Sequence, residues 1–348
     1  MSNSVIAGRV WRSGGVSLRI DERTIAVDLA LLAAIAILGI WSIGAGDFPL
    51  PLGEVLRTLA GQGEGASSFI VFGLRLPRLL TGLFTGMAFG IAGAIFQSLA
   101  RNPLASPDII GFDAGAALGA VILVIVFGAS GTPVALGAIG GGLATAAVVF
   151  ALSWRRGVTP LRLVLVGIGV GFFAYAGVDF LMTRSDIFEA AAAQAWLTGS
   201  LNARLWSHVE TVAAGLAILL PAALVLRPSL DRIELGDDLA TALGIRVDAT
   251  RIAAGLVGVL LAALAVASAG PLPFVALVSS PIARRLSGGA GVTLLTSALV
   301  GAAVVAAGDL GGRLAFAPTQ LPVGVFTAIL GAPYLLWLLA TQIRKGAM

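Results

Sequence analysis

Long runs of uncharged, mostly apolar residues are the feature that most restricts how this 348-residue chain can fold. Asp113 and Arg155 bracket 41 uncharged residues, and Arg251 and Arg284 bracket 32. A helix needs only about 20 apolar residues to cross a bilayer, so each run is long enough for two crossings. Charged residues make up 11% of the chain, against about 25% in soluble domains. The sequence therefore predicts an all-α polytopic membrane protein, and it excludes an ordinary soluble enzyme or a nucleic-acid binder.

Charged residues and Gly-Pro breaks divide the chain into ten apolar segments. These cover residues 29–46, 79–100, 114–127, 134–154, 160–182, 208–226, 252–269, 274–283, 291–308 and 321–343. The eighth is short and contains Pro281, so it is either a crossing or a re-entrant piece. With both termini in the cytoplasm, 16 of the 22 Lys and Arg residues lie on the cytoplasmic side, as the positive-inside rule requires. We expect a cytoplasmic tail over residues 1–26 and one transmembrane domain over 27–348, whose longest cytoplasmic loop covers 227–251.

Several chemistries are excluded by residue types that the chain lacks. It has no cysteine, one histidine, His208, and one lysine, Lys345. No cluster of His and Cys can therefore hold zinc, haem or a di-iron centre. A P-loop for nucleotide phosphates needs Gly-Lys-Ser/Thr, whereas Lys345 is followed by glycine. We expect no catalytic residue, no bound metal and no cofactor in this chain.

Three segments carry more polar residues than a lipid-facing helix needs. Residues 74–78 put Arg75 and Arg78 at the outer end of a helix, where they either snorkel to lipid headgroups or form a basic patch for an acidic partner. Residues 97–108 form a proline-stiffened cytoplasmic connection that is either a tight turn or part of a gate. Residues 234–247 contain a short amphipathic helix, opened by Asp237 or Asp238 and closed by Gly244. It either lies on lipid or docks into a soluble partner, and its few basic residues argue against a lipid anchor.

Three carboxylates lie within or beside the apolar segments: Asp113, Asp179 and Asp309. Ionisable groups inside a membrane are candidates for a functional role by default. All three lie close to the interfaces, which equally suits a solvated or structural role. They keep open an alternative function, an ion-coupled secondary transporter with Asp113 or Asp179 as the coupling site.

Five separated motifs resemble those of the FecCD-type permeases of ABC transporters, which carry iron-siderophores, haem and vitamin B12. The motifs cover residues 74–78, 93–97, 101–107, 236–244 and 320–333. The resemblance runs from about residue 27 to residue 344, and residues 102–112 and 199–202 look like the ferric-enterobactin systems. It implies ten membrane helices and a set of partners: a second, non-identical permease subunit, two ATP-binding subunits, and a periplasmic or lipid-anchored binding protein. ATP and Mg²⁺ would then bind to the partner ATPase.

The resemblance also implies roles for individual residues. Arg75, Arg78 and Arg313 would dock the binding protein. A coupling helix that contacts the ATPase would consist of Gly236, Asp237, Asp238, Leu239, Ala242, Leu243 and Gly244. The cytoplasmic gate would contain Asn102, Pro103, Leu104, Thr159 and Pro160. The chain departs from many relatives at Ser280 and Pro281, where they have Pro-His, so no role of that histidine carries over. The expected function is ATP-driven import of a ferric siderophore of the catecholate, enterobactin-like class.

Overall fold

The computed structural model describes residues 9–13, 16–108, 110–154, 159–288, 291–316 and 319–344. Arg155, Arg156 and Lys345, which the topology prediction assigns to the cytoplasm, lie outside the described residues. Two strands, β1 (Arg9–Ser13) and β2 (Val16–Ile20), form an antiparallel hairpin ahead of the first helix. Elsewhere, the described chain is built from helices and their connections.

The helices begin and end largely where local sequence signals predict. Asp21 Oδ1 accepts a hydrogen bond from the backbone N–H of Arg23 at 3.1 Å, which caps the first helix, as acidic residues at this position commonly do. In order, the helices are α1 (Glu22–Gly44), α2 (Leu52–Arg57), α3 (Gly65–Ser68), α4 (Leu76–Ala100), α5 (Phe112–Ile125), α6 (Thr132–Ser153), α7 (Pro160–Arg184), α8 (Ile187–Leu197), α9 (Trp206–Glu234), α10 (Asp237–Ala242), α11 (Val247–Ala269), α12 (Val275–Ser287), α13 (Leu294–Leu314) and α14 (Val323–Arg344). Two π-helical segments, Thr58–Gln62 and Phe69–Arg75, precede α4.

Eight of these helices are long and apolar enough to cross a membrane: α1, α4, α6, α7, α9, α11, α13 and α14. They match eight of the ten predicted segments. The other two segments form α5, with 14 residues, and α12, with 13, which is shorter than the roughly 20 residues of a full crossing. The described fold is that of an all-helical, multi-pass membrane protein. The count of ten crossings and the side of the termini stay predictions.

The centre of the bundle is α4, which packs against α11, α12 and α13. Close approach at this contact requires glycine, because a Cβ on Gly86 of α4 would lie 2.7 Å from the carbonyl carbon of Gly301 on α13. Small residues at four-residue spacing let membrane helices pack backbone against backbone. The more peripheral α1 leaves most of its side chains exposed. The bundle therefore surrounds α4 with tightly packed neighbours.

The predicted cytoplasmic loop 227–251 is mostly helix. The long helix α9 continues past Pro228 to Glu234, α10 follows at once, and α11 already begins at Val247. Charged residues mark where a helix leaves the apolar layer, which need not be where its backbone hydrogen bonds end. The same reasoning applies at the N-terminus, where α1 begins at Glu22, before the predicted boundary of the tail at residue 26.

Candidate functional sites at the two ends of the bundle

The first site lies at the end of the bundle that the charge bias predicts to face outward, and we call it the outer end. Here Asp309 of α13 lies between two arginines. The Nη2 and Nε atoms of Arg78 lie 2.8 Å and 3.0 Å from Asp309 Oδ1, and Nε of Arg313, one turn along α13, lies 3.3 Å from Oδ2. All three side chains are largely buried. This shared ion pair ties the start of α4 to the end of α13.

Arg75, which precedes α4, and Arg313 also hold the end of α1. Arg75 donates to the carbonyl oxygens of Ile43 and Phe48, both at 2.6 Å. Arg313 donates to the carbonyls of Ser42 at 3.1 Å and Ala45 at 3.2 Å, and to the hydroxyl of Ser42. The last carbonyls of a helix lack partners within the helix and carry partial negative charge. The predicted docking residues are thus brought together, but much of their donor capacity is used within the chain.

The three arginines line a cavity of about 490 Å³ that we call the outer arginine cavity. A fourth arginine, Arg204, also lines it, together with Asp47 and Gln320. Arg204 is held in place because its guanidinium donates to the carbonyl of Ser200 at 2.9 Å and 3.2 Å. Burial lowers the pKa of Arg204 from its usual value, although an arginine stays protonated in proteins. Four guanidinium groups, the side chains best suited to pair with carboxylates and phosphates, thus line one cavity.

Sequence reasoning missed the role of Arg204. It stands two residues after the segment 199–202, which was singled out for its resemblance alone, and it is one of only six outer cations in the topology prediction. An arginine on the outer side, against the charge rule, was the signal that selected Arg75 and Arg78. The same signal applies to Arg204, but also to Arg57 and Arg184, which do not line the cavity, so position in the fold and not the signal distinguishes Arg204.

The second site is the short helix α10 at the opposite end, which the charge bias predicts to face the cytoplasm and which we call the cytoplasmic end. It is opened by Asp237, and Gly244 follows it with a positive φ of 82°, both as predicted. Leu239 and Leu243 are 57% and 55% exposed, and the preceding Leu235 is 60% exposed. Only Ala240 faces the bundle fully buried. The helix thus turns its large apolar side chains away from its own chain.

Asp237 connects α10 to the two helices behind it. Its Oδ1 atom lies 2.8 Å from Arg251 Nη2 on α11 and 3.3 Å from Nη2 of Arg101, the residue that ends α4 with a left-handed φ of 50°. The adjacent Asp238 is exposed and forms no ion pair in the part of the chain that the structure describes. The sequence offers both neighbouring acids as the start of the helix, but in the structure they have different surroundings.

The predicted gate residues divide into two places. Asn102 and Pro103 line a cavity of about 340 Å³ beside Arg101 and Arg284, and Asn102 Oδ1 accepts from the N–H of Leu104 at 2.9 Å. Glu234, at the end of α9, forms an ion pair with Arg284 across this cavity. Thr159 is exposed at the start of α7, immediately before Pro160. The described lining of the cavity comes from α4, α9 and α12 and the loop after α4.

The three membrane carboxylates also separate by environment. Asp309 belongs to the outer ion pair, and Asp179 is exposed on α7. Asp113 is 4% exposed in the first turn of α5, where its Oδ1 atom has no hydrogen-bond partner among the described residues. No group of three or more His, Cys, Asp or Glu residues that could hold a metal ion occurs in the described ranges.

Comparison with known proteins places the chain in a family. A model of the FecCD transport family matches residues 34–341. The chain is 40% identical to the ferric enterobactin transport system permease protein FepG of Escherichia coli (strain K12), over 94% of this chain and 99% of that protein. It is 39% identical to the achromobactin transport system permease protein CbrC of Dickeya dadantii (strain 3937), over 96% of each. The solved structure of an inward-facing, metal-chelate type ABC transporter matches with a TM-score of 0.79 at 28% identity, covering 91% of this chain and 99% of that one. The chain therefore belongs to the FecCD transport family, as a transport permease subunit of an ABC importer whose ATPase is a separate subunit.

Proposed function

We propose that the chain imports a ferric siderophore of the catecholate class, with ATP and Mg²⁺ bound by a partner ATPase and no cofactor of its own. The relatives named for ferric enterobactin and achromobactin support a ferric siderophore. The residue inventory agrees, because the chain has no cysteine and one histidine. A siderophore already saturates its iron, and a path for the intact complex should avoid strong metal ligands.

The observation that carries the proposal is the exposure of Leu235, Leu239 and Leu243 at the cytoplasmic end. Apolar side chains grouped on an aqueous surface indicate a protein partner, and a short helix laid into a groove is a common mode of such contact. The sequence has no P-loop of its own. We assign the partner of α10 as the ATPase, with two ATP-binding subunits for each pair of permease subunits.

At the outer end we propose that acidic side chains of a periplasmic or lipid-anchored binding protein enter the outer arginine cavity. Arg75, Arg78 and Arg204 are the proposed contacts. Arg313 is more deeply buried, and we assign it mainly the positioning of Asp309 and Arg78. This division refines a docking role that the resemblance implies equally for Arg75, Arg78 and Arg313.

The proposed mechanism is alternating access between these ends. ATP binding moves α10, and Asp237 passes the motion through Arg101 to the loop of Asn102, Pro103 and Leu104. Thr159 and Pro160, at the start of α7, complete the proposed gate. A second, non-identical permease subunit would supply the opposite wall of the pathway.

The experiment that tests the proposal is uptake of radioactive iron by cells with and without this gene. Iron is offered as catecholate, hydroxamate or citrate chelates, and cells are treated either to deplete ATP or with a protonophore at constant ATP. Gene-dependent uptake that prefers the catecholate and stops only on ATP depletion is the expected result. Equal uptake of all chelates would contradict the substrate class alone. Loss with the protonophore, together with loss in Asp113→Asn or Asp179→Asn, would instead support the ion-coupled transporter.

A further inference from the structure

An apolar groove lies between α1, α12, α13 and α14. Its lining residues differ from those of the two polar cavities described above. Its volume is about 410 Å³, and its lining includes Leu31 and Leu38 of α1, Ile282 of α12 and Ala307 of α13. Among the described lining residues, only Thr327 and Tyr334 carry polar side chains. Such a surface favours an apolar occupant over water, because a water needs two or more polar partners.

The length of the groove matches one leaflet of a membrane. On α12 it extends from beside Phe274 to Leu286, which is about 18 Å at a rise of about 1.5 Å per residue. The hydrocarbon core of a bilayer is about 30 Å thick, so each leaflet accounts for about 15 Å. One acyl chain from the cytoplasmic leaflet therefore fits along the groove.

The cytoplasmic end of the groove is basic. Arg285 lies 4.2 Å from the centre of the Trp337 ring, and Arg23 donates to the carbonyl of Leu286 at 2.9 Å. Neither guanidinium forms an ion pair with a carboxylate in the described part of the chain. Basic groups between membrane helices at the cytoplasmic surface are typical sites for anionic lipid headgroups.

A polar group near the basic end of the groove lacks a hydrogen-bond partner. The hydroxyl of Tyr334 is buried and has no hydrogen bond among the described residues. Its ring packs 5.6 Å from that of Trp337, the ring that Arg285 contacts, so Tyr334 lies next to the basic end of the groove. A buried donor without an acceptor costs free energy, and an ester carbonyl oxygen would accept a hydrogen bond from it.

From the apolar lining, the length, the basic end and the unpartnered Tyr334 hydroxyl, we propose that the groove binds one anionic phospholipid of the cytoplasmic leaflet. An acyl chain lies between α1 and α13, and the phosphate contacts Arg285 and Arg23. An ester carbonyl oxygen accepts a hydrogen bond from the Tyr334 hydroxyl. The proposal does not depend on the proposed substrate.

Native mass spectrometry of the purified full-length chain, titrated with phosphatidylglycerol or with phosphatidylcholine of identical acyl chains, tests the proposal. We expect one phosphatidylglycerol to bind more tightly than phosphatidylcholine, by about fivefold for each arginine that contacts the headgroup. Arg285→Gln should remove about fivefold of this preference. Ala307→Phe, which fills the groove, should abolish tight binding of both lipids.

Arg184→Gln is the matched control, because Arg184 also lies over an aromatic ring, that of Phe180 at 5.2 Å, but away from the groove. It should leave the lipid preference unchanged. Equal binding of the two lipids, or an Arg285→Gln variant with an unaltered preference, would overturn the headgroup assignment. Loss of the bound lipid when the partner permease subunit is added would show that the groove is a subunit interface and overturn the site itself.

Discussion

The two ends of the bundle contain the same arrangement, one carboxylate between two arginines, in different surroundings. At the outer end Asp309, between Arg78 and Arg313, is 5% exposed. At the cytoplasmic end Asp237, between Arg101 and Arg251, is 43% exposed. At the outer end all three side chains are largely buried. At the cytoplasmic end Arg251 is buried, but Asp237 and Arg101 are partly exposed and lie next to a helix with exposed leucines.

This difference in burial indicates which end of the bundle can rearrange. Separating a buried ion pair leaves charge in a low dielectric and is strongly unfavourable. Separating Arg101 from Asp237 costs little, because both side chains are partly exposed and water replaces the lost contact. We therefore expect the outer cluster to be a fixed part of the molecule and the cytoplasmic cluster to be the part that changes during transport.

Removal of the buried carboxylate should have the largest effect. Asp309→Ala leaves Arg78 and Arg313 without their shared partner, and we expect a loss of about 3–5 kcal/mol in the free energy of unfolding. Thermal unfolding of the purified protein in detergent measures the change. Asp179→Ala, at an exposed carboxylate on α7, should change stability by less than about 0.5 kcal/mol. Similar losses in both variants would mean that the outer cluster is not a fixed part.

Loss of an exposed leucine at the cytoplasmic end should affect assembly and not folding. We expect Leu239→Gln to weaken binding of the ATPase subunit by about 2 kcal/mol, the size of an interface hot spot, or about thirtyfold. Titration of the solubilised permease with the ATPase measures this affinity. Leu56→Gln makes the same change at a leucine on α2 that is 48% exposed at the outer end, and it should bind the ATPase normally. An unaltered affinity in Leu239→Gln would exclude α10 as the contact.

The two neighbouring acids of α10 provide a smaller and sharper test. Asp237→Asn removes both ion pairs of this carboxylate, of which the partly exposed one with Arg101 is worth about 1 kcal/mol. We expect the ATP hydrolysed per imported chelate to rise by about fivefold while the ATPase still binds. Asp238→Asn, with no ion pair among the described residues, should resemble the unaltered protein. The ATP hydrolysed per imported chelate and the binding of the ATPase are both measured in reconstituted vesicles. If the two variants behave alike, the link from Asp237 to Arg101 does not transmit the motion.

The smallest effect is expected at the outer arginine cavity. Arg204→Gln should weaken docking of the binding protein by about 0.5–1 kcal/mol, or roughly two- to fivefold, and reduce its dependence on salt. Arg57, exposed on α2 outside the cavity, offers the control Arg57→Gln. Affinity measured across a range of salt concentrations distinguishes them. If the affinity of the two variants for the binding protein fell equally steeply with salt concentration, Arg204 would be excluded from the contact.

Much of the fold follows from the sequence, because apolar length and charge are read directly from it. The family predicted from five motifs is confirmed, and eight long helices match predicted segments. The extension of α9 past Pro228 could not be predicted in the same way. Hydropathy reports the solvent around a helix, whereas the end of a helix depends on backbone hydrogen bonds and packing beyond the membrane.

The candidate sites were predictable in composition but not in geometry. Two arginines at the outer end of one helix indicated Arg75 and Arg78, yet the sequence could not show that Arg75 holds the end of α1 while Arg78 pairs with Asp309. Likewise, nothing in the pair Asp237 and Asp238 distinguishes the first as the partner of Arg101, because that contact joins residues far apart in the chain. Such partnerships arise only from the packing of distant helices.

The continuous helix α9 has a consequence for communication between the two faces. Its 29 residues span about 43 Å at about 1.5 Å per residue, from the loop of Arg204 to the turn before α10. A binding effect that travels between two sites must be reciprocal. If ATP changes the affinity for the binding protein by some factor, docking of that protein changes the affinity for ATP by the same factor. A coupling of this kind carried by α9 would pass through one continuous segment of chain, which joins the loop of Arg204 to the turn before α10.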